Sequence, residues 1–428
     1  MSMKFQAKVK ELIKGIEPAT MVAIKGTEKE YENAGLITLS NDDNGITILA
    51  DGGRVSLSTE MPSDIVDMNY KSSDHGTITV RASDLIATLH SFDLNDEIKI
   101  EEKSLGPTGG REIIFTSLFD KEGETYQTLP VQIKDIEKSA IVKSFSDSKK
   151  IKIRRDIFLN AAKRLIFAHG YENNRPEFLY WLLNVKKNEI RFAAGTGGLF
   201  ANIDVEGKEI SEIKNDTQIL IPNQATVPII ESLNTQKDDF VSIIPSDKYL
   251  TIRCGHIHML ICNLEPNIKW PDVDKILNRS SSVKITTRTD SWKPTVLGLT
   301  ATYSEDLKKT GNYHIAHLEF DSSKKQIFAK TDGVMKAHRK VPVEDSKYDG
   351  QKKCDIKLLS EYLNICIKEA KDDEFVQLEI DPENAKAPVV VRYHAKQSVG
   401  NANEFIKVSD GSGVAEKYSL FFAPIIGK

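Results

Sequence analysis

The sequence predicts an α+β fold made of three tandem copies of one module, each holding two helices and an antiparallel sheet. Three phrases that recur in the same order predict it. The first is a β-rich run ending in Ala and a glycine turn: GITILADGG at 45–53, EIRFAAGTGG at 189–198 and QIFAKTDG at 326–333. The spacing is far too long for a solenoid repeat and suits whole domains.

The second phrase follows each of these as a helix, an acidic turn and a strand. It begins RASDLIATLHSFDLNDEIKI at Arg81, IPNQATVPIIESLN at Ile221 and CDIKLLSEYLNICIKEAKDDEFVQLEI at Cys354. Leu85, Leu89 and Phe92 share a helical face, as do Val227, Ile230 and Leu233, and Leu358, Tyr362 and Cys366. Ser83, Asn223 and Asp355 are the expected N-caps, and Pro228 conflicts with the cap at Asn223 unless it lies within the first turn. A third phrase opens each module with a helical stripe: Phe5, Val9, Leu12 and Ile16; Phe158, Ala162 and Leu165; Trp292, Val296, Leu299 and Tyr303. Short alternating runs such as ITILA, VSLST, TITV, EIIFT, YLTIRCG and HMLICNL supply strands. The expected modules are 1–142, 143–279 and 280–428.

Composition sets the class. The 428 residues are 40% hydrophobic and 28% charged, ordinary for a globular protein with several cores. No apolar run reaches the roughly 18–20 residues that span a bilayer, and the lysines of MSMKFQAKVKELIKG interrupt any signal-peptide core. Four cysteines are too few for a disulfide framework, so the expected compartment is the reducing cytoplasm, with no membrane partner.

No catalytic constellation emerges, and a non-enzyme without cofactor is expected. The Gly195-Thr196-Gly197-Gly198 turn lacks the Gly-Lys-Ser/Thr ending of a phosphate loop and reads as a tight turn. Asp42-Asp43-Asn44-Gly45 lacks the closing Glu of a calcium loop and reads as a hairpin turn. Cys254, His256, His258 and Cys262 have zinc-ligand chemistry, but on one extended strand they do not converge on a tetrahedral ion, so no metal is expected.

Charge is unevenly placed although the net value is only −4. Lys8, Lys10 and Lys14 mark the first helix, and Lys149, Lys150, Lys152, Arg154, Arg155, Lys163 and Arg164 mark the second module's first helix and its approach. Arg288 and Lys293 repeat this weakly in the third. Acidic residues gather in loops instead. Helices with basic outer faces can make a surface for phosphates, and solvated amphipathic helices are the alternative.

Four segments resemble one family along nearly the whole chain: the bacterial sliding clamp, the β subunit of the replicative DNA polymerase. MKFQAKVKELIK is similar to its opening helix, and FLYWLLNVKKNEIRFAAGTGGLFA to its middle-domain segment. GHIHMLICNLEPNIKWPDVDKIL is similar to the strand preceding a Phe-Pro-Asp-Tyr motif, here Trp270-Pro271-Asp272-Val273, and YSLFFAPI to the closing strand. The resemblance implies clamp modules, three per chain, forming a six-domain ring as a head-to-tail homodimer. It further implies sequence-independent binding of double-stranded DNA, a DNA polymerase as partner and a separate clamp loader.

Carried over by position, the pore-facing cations are Lys8, Lys10, Lys14, Arg154, Lys163 and Arg164. The partner-binding cleft between the second and third modules includes Phe178, Leu179, Gly195, Gly197, Phe200 and Pro271. Lys275, Ile276, Phe421, Phe422, Pro424 and Ile425 complete it. Core packing is the competing role for its apolar members. The chain departs from the family where Gly195-Thr196 and Gly198-Leu199 replace Thr-Asp and His-Arg, and where Ile426-Gly427-Lys428 replaces an Arg-Leu ending. Two further readings stand beside the clamp: a repeat scaffold that binds proteins without enclosing DNA, and a hydrolase built on the Cys254–Cys262 cluster.

Overall fold

A computed structural model describes residues 2–25, 34–53, 55–65, 67–106, 110–119, 126–132, 150–170, 175–208, 210–213, 215–246, 249–262, 268–272, 274–277, 283–300, 315–331, 337–348, 354–370, 374–381, 387–395, 406–407 and 415–422. The expected boundaries near 142 and 279 fall outside them.

Element order repeats three times. The first third runs β1 (Lys4–Lys8), α1 (Val9–Lys25), β2 (Leu36–Asp42), β3 (Gly45–Asp51), β4 (Val55–Pro62), β5 (Lys71–Asp74), β6 (Gly76–Arg81), α2 (Ala82–His90), β7 (Glu97–Ser104), β8 (Arg111–Ser117) and β9 (Tyr126–Pro130). The middle third runs β10 (Ile151–Arg154), α3 (Arg155–Leu165), β11 (Tyr180–Lys186), β12 (Glu189–Gly195), β13 (Leu199–Glu206), β14 (Ser211–Glu212), β15 (Thr217–Pro222), α4 (Thr226–Asn234), β16 (Phe240–Pro245), β17 (Tyr249–Cys254) and β18 (Ile257–Cys262). A short helix α5 (Asp274–Leu277) precedes the last third. That third runs β19 (Val283–Arg288), α6 (Thr289–Thr300), β20 (Ile315–Asp321), β21 (Gln326–Thr331), β22 (His338–Pro342), β23 (Asp345–Tyr348), β24 (Cys354–Leu359), α7 (Ser360–Glu369), β25 (Glu374–Ile380), β26 (Val389–Ala395), β27 (Ile406–Lys407) and β28 (Ala415–Phe422).

Three sequence expectations need correction. Phe5 belongs to β1 and not to the helical stripe; the helix starts at Val9, where burial switches from alternate residues to Val9, Leu12, Ile13 and Ile16. Leu358 likewise lies on β24, and Tyr303 is outside the described residues. None of the three expected caps acts as one. Ser83 sits within α2, Asn223 in a 3-10 turn and Asp355 on β24, and residues Arg81, Ala225 and Leu359 precede the helices without a side-chain cap bond. Local cap preference yields here because the preceding chain (strands β6 and β24, the 3-10 turn before α4) runs straight into the helix. The Asp42–Gly45 segment does form the expected hairpin turn. Asp42 accepts the amides of Asn44 and Gly45 at 2.8 and 3.1 Å, and Gly45 (φ +142°) passes so close to the Met61 carbonyl that no Cβ fits.

The chain divides into two compact units. Unit 1 comprises Met1–Lys163, Glu212–Lys214 and Ile221–Asn267, and unit 2 comprises Arg164–Ser211, Asn215–Leu220 and Ile268–Lys428. In unit 1, a five-stranded sheet has the order β5-β1-β7-β8-β9 and a nine-stranded sheet the order β14-β10-β16-β17-β18-β4-β3-β2-β6. In unit 2 the orders are β15-β11-β12-β13-β28-β26-β25-β19-β23, with β27 on β28, and β22-β21-β20-β24. Every described strand pair is antiparallel. The middle module is therefore shared: β18 pairs with β4, and β13 with β28. Such continuous ladders bury backbone edges that would otherwise be open. Helix α1 covers β3 and β4 and packs on α2 and α4 within unit 1, and α6 packs on α7 within unit 2. Among the described residues no helix is long and apolar enough to cross a membrane.

Candidate functional site

Unit 2 builds an aromatic wall on one face of its long sheet. Phe200 on β13 lies opposite Phe421 on β28, which lies opposite Val390 on β26. Opposed residues in a ladder project to the same side, so these three make a row. Phe178 closes on Phe200 edge-to-face at 5.2 Å between ring centroids and on Trp270 at 6.4 Å, and Trp270 also packs against Phe421 and Val390. The Trp270 indole Nε1 is buried without a hydrogen-bond partner. Arg175 places its guanidinium 5.8 Å from the centre of the Phe178 ring.

The turn before β13 shapes this wall. Thr196 Oγ1 accepts the amides of Gly198 and Leu199 at 3.2 and 3.1 Å, a side-chain-stabilised turn as its residues lead one to expect. A Cβ on Gly195 would stand 2.6 Å from the Phe200 ring, and one on Gly198 would stand 2.8 Å from the Tyr362 hydroxyl. These glycines are needed for close packing.

The predicted cleft residues separate into groups. Phe178, Phe200 and Phe421 come together; Leu179 and Pro271 are half-buried, Gly195 is buried and Gly197 exposed. Phe178 and Phe421 are themselves buried, at 5% and 2% exposure, and Phe422 is corrected to a core residue. Strand alternation turns it to the opposite face, where it is fully buried and stacks on Tyr362 at 4.9 Å. Lys275 is exposed and pairs with Asp272 at 3.4 Å. The Ile276 side chain, Pro424 and Ile425 lie outside the described residues. Trp270, Arg175 and Val390 were missed as wall residues; the only sequence signal for Trp270 was its place next to Pro271.

A buried polar band continues along the same face, two residues further along each strand. Asn202 lies opposite Ser419, and Ser419 opposite Arg392. The Arg392 guanidinium grips Glu379 through Nε at 2.9 Å and Nη2 at 3.2 Å, and Lys284 reaches the same carboxylate at 3.1 Å. Further along, Arg191 donates to Asp204 at 2.6 Å and to Asp274 at 2.8 and 2.9 Å, tying α5 to β12 and β13. Burial opposes the charge on Arg191, but its hydrogen bonds to the two carboxylates more than offset this and raise its pKa. Nothing in the sequence pattern marked this band, because its members are far apart in the chain.

The predicted cations have mixed fates. Lys8 is half-buried at the end of β1, whereas Lys10 is exposed. Lys14 pairs with Glu11 at 2.6 Å and lines a cavity of about 420 Å³ that also takes Glu60, Asp64, Asp67 and Asp238. Arg154 pairs with Asp156, as Arg288 does with Asp290 at 2.7 Å at the equivalent position of the third module. Lys163 donates to Asn234 at 3.0 Å. Arg164 is corrected as a pore cation: it pairs with Glu416 and lies 3.9 Å above the Tyr418 ring, with its side chain only 16% exposed. A guanidinium so engaged is a structural tie.

Cys254, His256, His258 and Cys262 do not share one strand as expected. They occupy the β17–β18 hairpin, with His258 opposite Arg253 and Cys262 opposite Tyr249. Among the described residues no group of three or more His, Cys, Asp or Glu is placed to hold a metal ion. His169 is buried beside Gly170, its Nε2 without a partner, and burial lowers its pKa to about 4.

The thrice-repeated antiparallel module defines a fold class, that of the bacterial DNA polymerase sliding clamps. The DNA polymerase sliding clamp from Bacillus subtilis matches with a TM-score of 0.75 at 12% identity, covering 100% of both chains. The β subunit from the DNA polymerase of Streptococcus pyogenes matches with 0.74 at 14%, covering 99% of this chain and 100% of its own. The DNA polymerase III β subunit of Thermotoga maritima gives 0.74 at 11%, again over 100% of both. No protein-family model matches the chain, and no curated protein matches it in sequence.

Proposed function

We propose that this chain is a DNA polymerase processivity clamp. Two copies join head to tail into a six-module ring that encircles duplex DNA and slides, with module boundaries near residues 142 and 279. The observation that carries this reading is the full-length agreement of fold with sliding clamps. The exposed Lys10 and its neighbours on the module helices touch phosphates without reading bases. A polymerase is held through a short apolar segment docked on the Phe178–Phe200–Trp270 wall, since a few buried aromatic anchors carry most of such an interface. The protein supplies topology and attachment without catalysis, acts in the cytoplasm, and depends on a separate ATP-driven loader.

Retention on DNA tests the reading. With a loader present, the protein stays on closed circular DNA and slides off when the circle is cut; equal retention on both forms overturns it. The non-encircling scaffold is the second reading, favoured by the carboxylates around Lys14 and by the internal engagement of Arg164. It expects no dependence on DNA topology.

A further inference from the structure

Unit 1 holds a cavity of about 420 Å³ with walls from the first module and from the part of the middle module that unit 1 contains. Helix α1, strand β4 and the turn after β4 supply one side; the chain after α4 and the β17–β18 turn supply the other. The Glu60 amide donates to the His256 carbonyl at 2.9 Å, which joins the two sides. The His256 amide donates to Gln236 Oε1 at 3.2 Å, which fixes the second side internally. The turn after β4 is held by the Ser63 amide on the Asn44 carbonyl at 2.6 Å and by the Lys8 amide on the Met68 carbonyl at 2.9 Å. The space is therefore preformed, and its volume falls in the ~300–1,000 Å³ range of small-molecule sites.

Its lining is sorted by chemistry. Gly15, Thr59 and Met61 are buried and Ile65 is half-buried, whereas Glu60, Asp64, Asp67 and Asp238 are exposed. The result is a mostly apolar floor under a carboxylate rim. A Cβ on Gly15 would collide with the Met61 sulfur, so this glycine lets α1 lie close on β4. Lys14 is engaged by Glu11 at 2.6 Å. The four rim carboxylates outnumber Lys237, and they still do so when His256 is protonated. They do not converge on a point: among the described residues no group of three or more His, Cys, Asp or Glu is placed to hold a metal ion. Carboxylates spread around a cavity suit positive charges separated along one molecule.

The floor adds an independent observation. Thr59 lines the cavity at 3% exposure, and its buried Oγ1 has no hydrogen-bond partner. Thr59 and Met61 lie two residues apart on β4 and so share the face that α1 covers. An unpaired buried hydroxyl is costly and uncommon in a folded protein. A donor entering the cavity satisfies it.

We propose that this cavity binds a linear polyamine, an aliphatic chain carrying two or more ammonium groups. One ammonium donates to Thr59 Oγ1, the methylenes lie on Met61 and Ile65, and the remaining ammonium groups pair with the rim carboxylates. An ammonium offers three donors and no acceptor, which matches a hydroxyl and a ring of carboxylates. An alkyl stem covers apolar surface while its charged ends stay at the wet rim. The site lies within one chain and requires neither a ring nor DNA.

Calorimetric titration of the full-length protein with spermidine, at physiological ionic strength and in excess magnesium, tests the site. The expected result is saturable binding of one spermidine per chain. Thr59→Val removes the hydroxyl and keeps a β-branched strand former. It should weaken binding about tenfold, as loss of a hydrogen bond to a charged group does, and should leave the melting temperature of the free protein unchanged or higher. Asp64→Asn with Asp67→Asn, both at exposed positions, should weaken binding several-fold, since exposed ion pairs are individually weak. Absence of saturable binding, its suppression by magnesium, or unaltered affinity in either variant overturns the proposal.

Discussion

Phe200 on β13 stands directly opposite Phe421 on β28, while the adjacent pair, Leu199 and Phe422, turns to the other face of the same sheet. One residue of alternation thus packs Phe421 toward Phe200 and Trp270 and Phe422 toward Tyr362, and both phenylalanines are buried. The two neighbouring phenylalanines differ in their packing partners because a pleated strand presents successive side chains to opposite sides.

Substitutions should divide accordingly. Trp270→Ala, which removes a half-buried ring from the wall, should weaken binding of a polymerase-derived peptide by about 2 kcal/mol or more, typical of an aromatic anchor. Its effect on the melting temperature should be small. Phe422→Ala should lower stability by about 3–5 kcal/mol through cavity formation. Calorimetric titration and thermal melting together check the pair; a Phe422 variant of unchanged stability would refute its placement in the core.

The Arg392–Glu379 pair should behave as a buried tie. Removing the guanidinium with Arg392→Ala leaves a carboxylate that is 2% exposed with Lys284 beside it. Such a change costs about 3–5 kcal/mol. Urea denaturation should show the loss, and Arg392→Met with Glu379→Leu should recover much of it by removing both charges.

His169 gives unit 2 an acid-side dependence. Its folded pKa is lowered from 6.5 to about 4 by burial, so the unfolded chain binds the extra proton first. The contribution is present above about pH 6.5 and is lost as the pH falls toward about 4, amounting to roughly 3 kcal/mol at 1.36 kcal/mol per pH unit. Stability measured across that window should fall less steeply in His169→Gln, and an unaltered slope would contradict the assignment.

Lys10 and Arg164 should part company on DNA. Lys10→Glu, at an exposed cation, should weaken DNA association and lower the slope of log K against log salt by roughly 0.9 for each phosphate it no longer neutralises. Arg164→Gln should leave that slope unchanged and instead lower the melting temperature, since it breaks the ties to Glu416 and Tyr418. Fluorescence anisotropy over a salt series, together with melting curves, separates the two outcomes.

Much of the fold was legible because its signals are local and repeated. The run GITILADGG and its two counterparts became β3, β12 and β21, and the stripe Phe158, Ala162, Leu165 became one face of α3. Phe5 misled because strand β1 passes directly into α1, and an apolar residue one turn ahead of a helix fits its stripe equally well. The caps at Ser83, Asn223 and Asp355 misled for a related reason: the helices α2, α4 and α7 begin where a strand or a 3-10 turn ends, without a side-chain cap.

The candidate site was legible only in part. Phe178, Phe200 and Phe421 could be placed by resemblance, but which of Phe421 and Phe422 packs with Phe200 and Trp270 depends on register. Arg164 looked like its neighbour Lys163 in sequence, yet their directions are set by bonds to Glu416 and Asn234, 252 and 71 residues away.

By itself, the sequence determined the threefold repeat of helix and strand, since this depends on short-range periodicity. The tertiary structure decided how the repeats are joined. It joined β4 to β18 and β13 to β28 and divided the middle module between two units. Those outcomes depend on which distant strands complete one another's hydrogen bonds, and no local pattern encodes that choice.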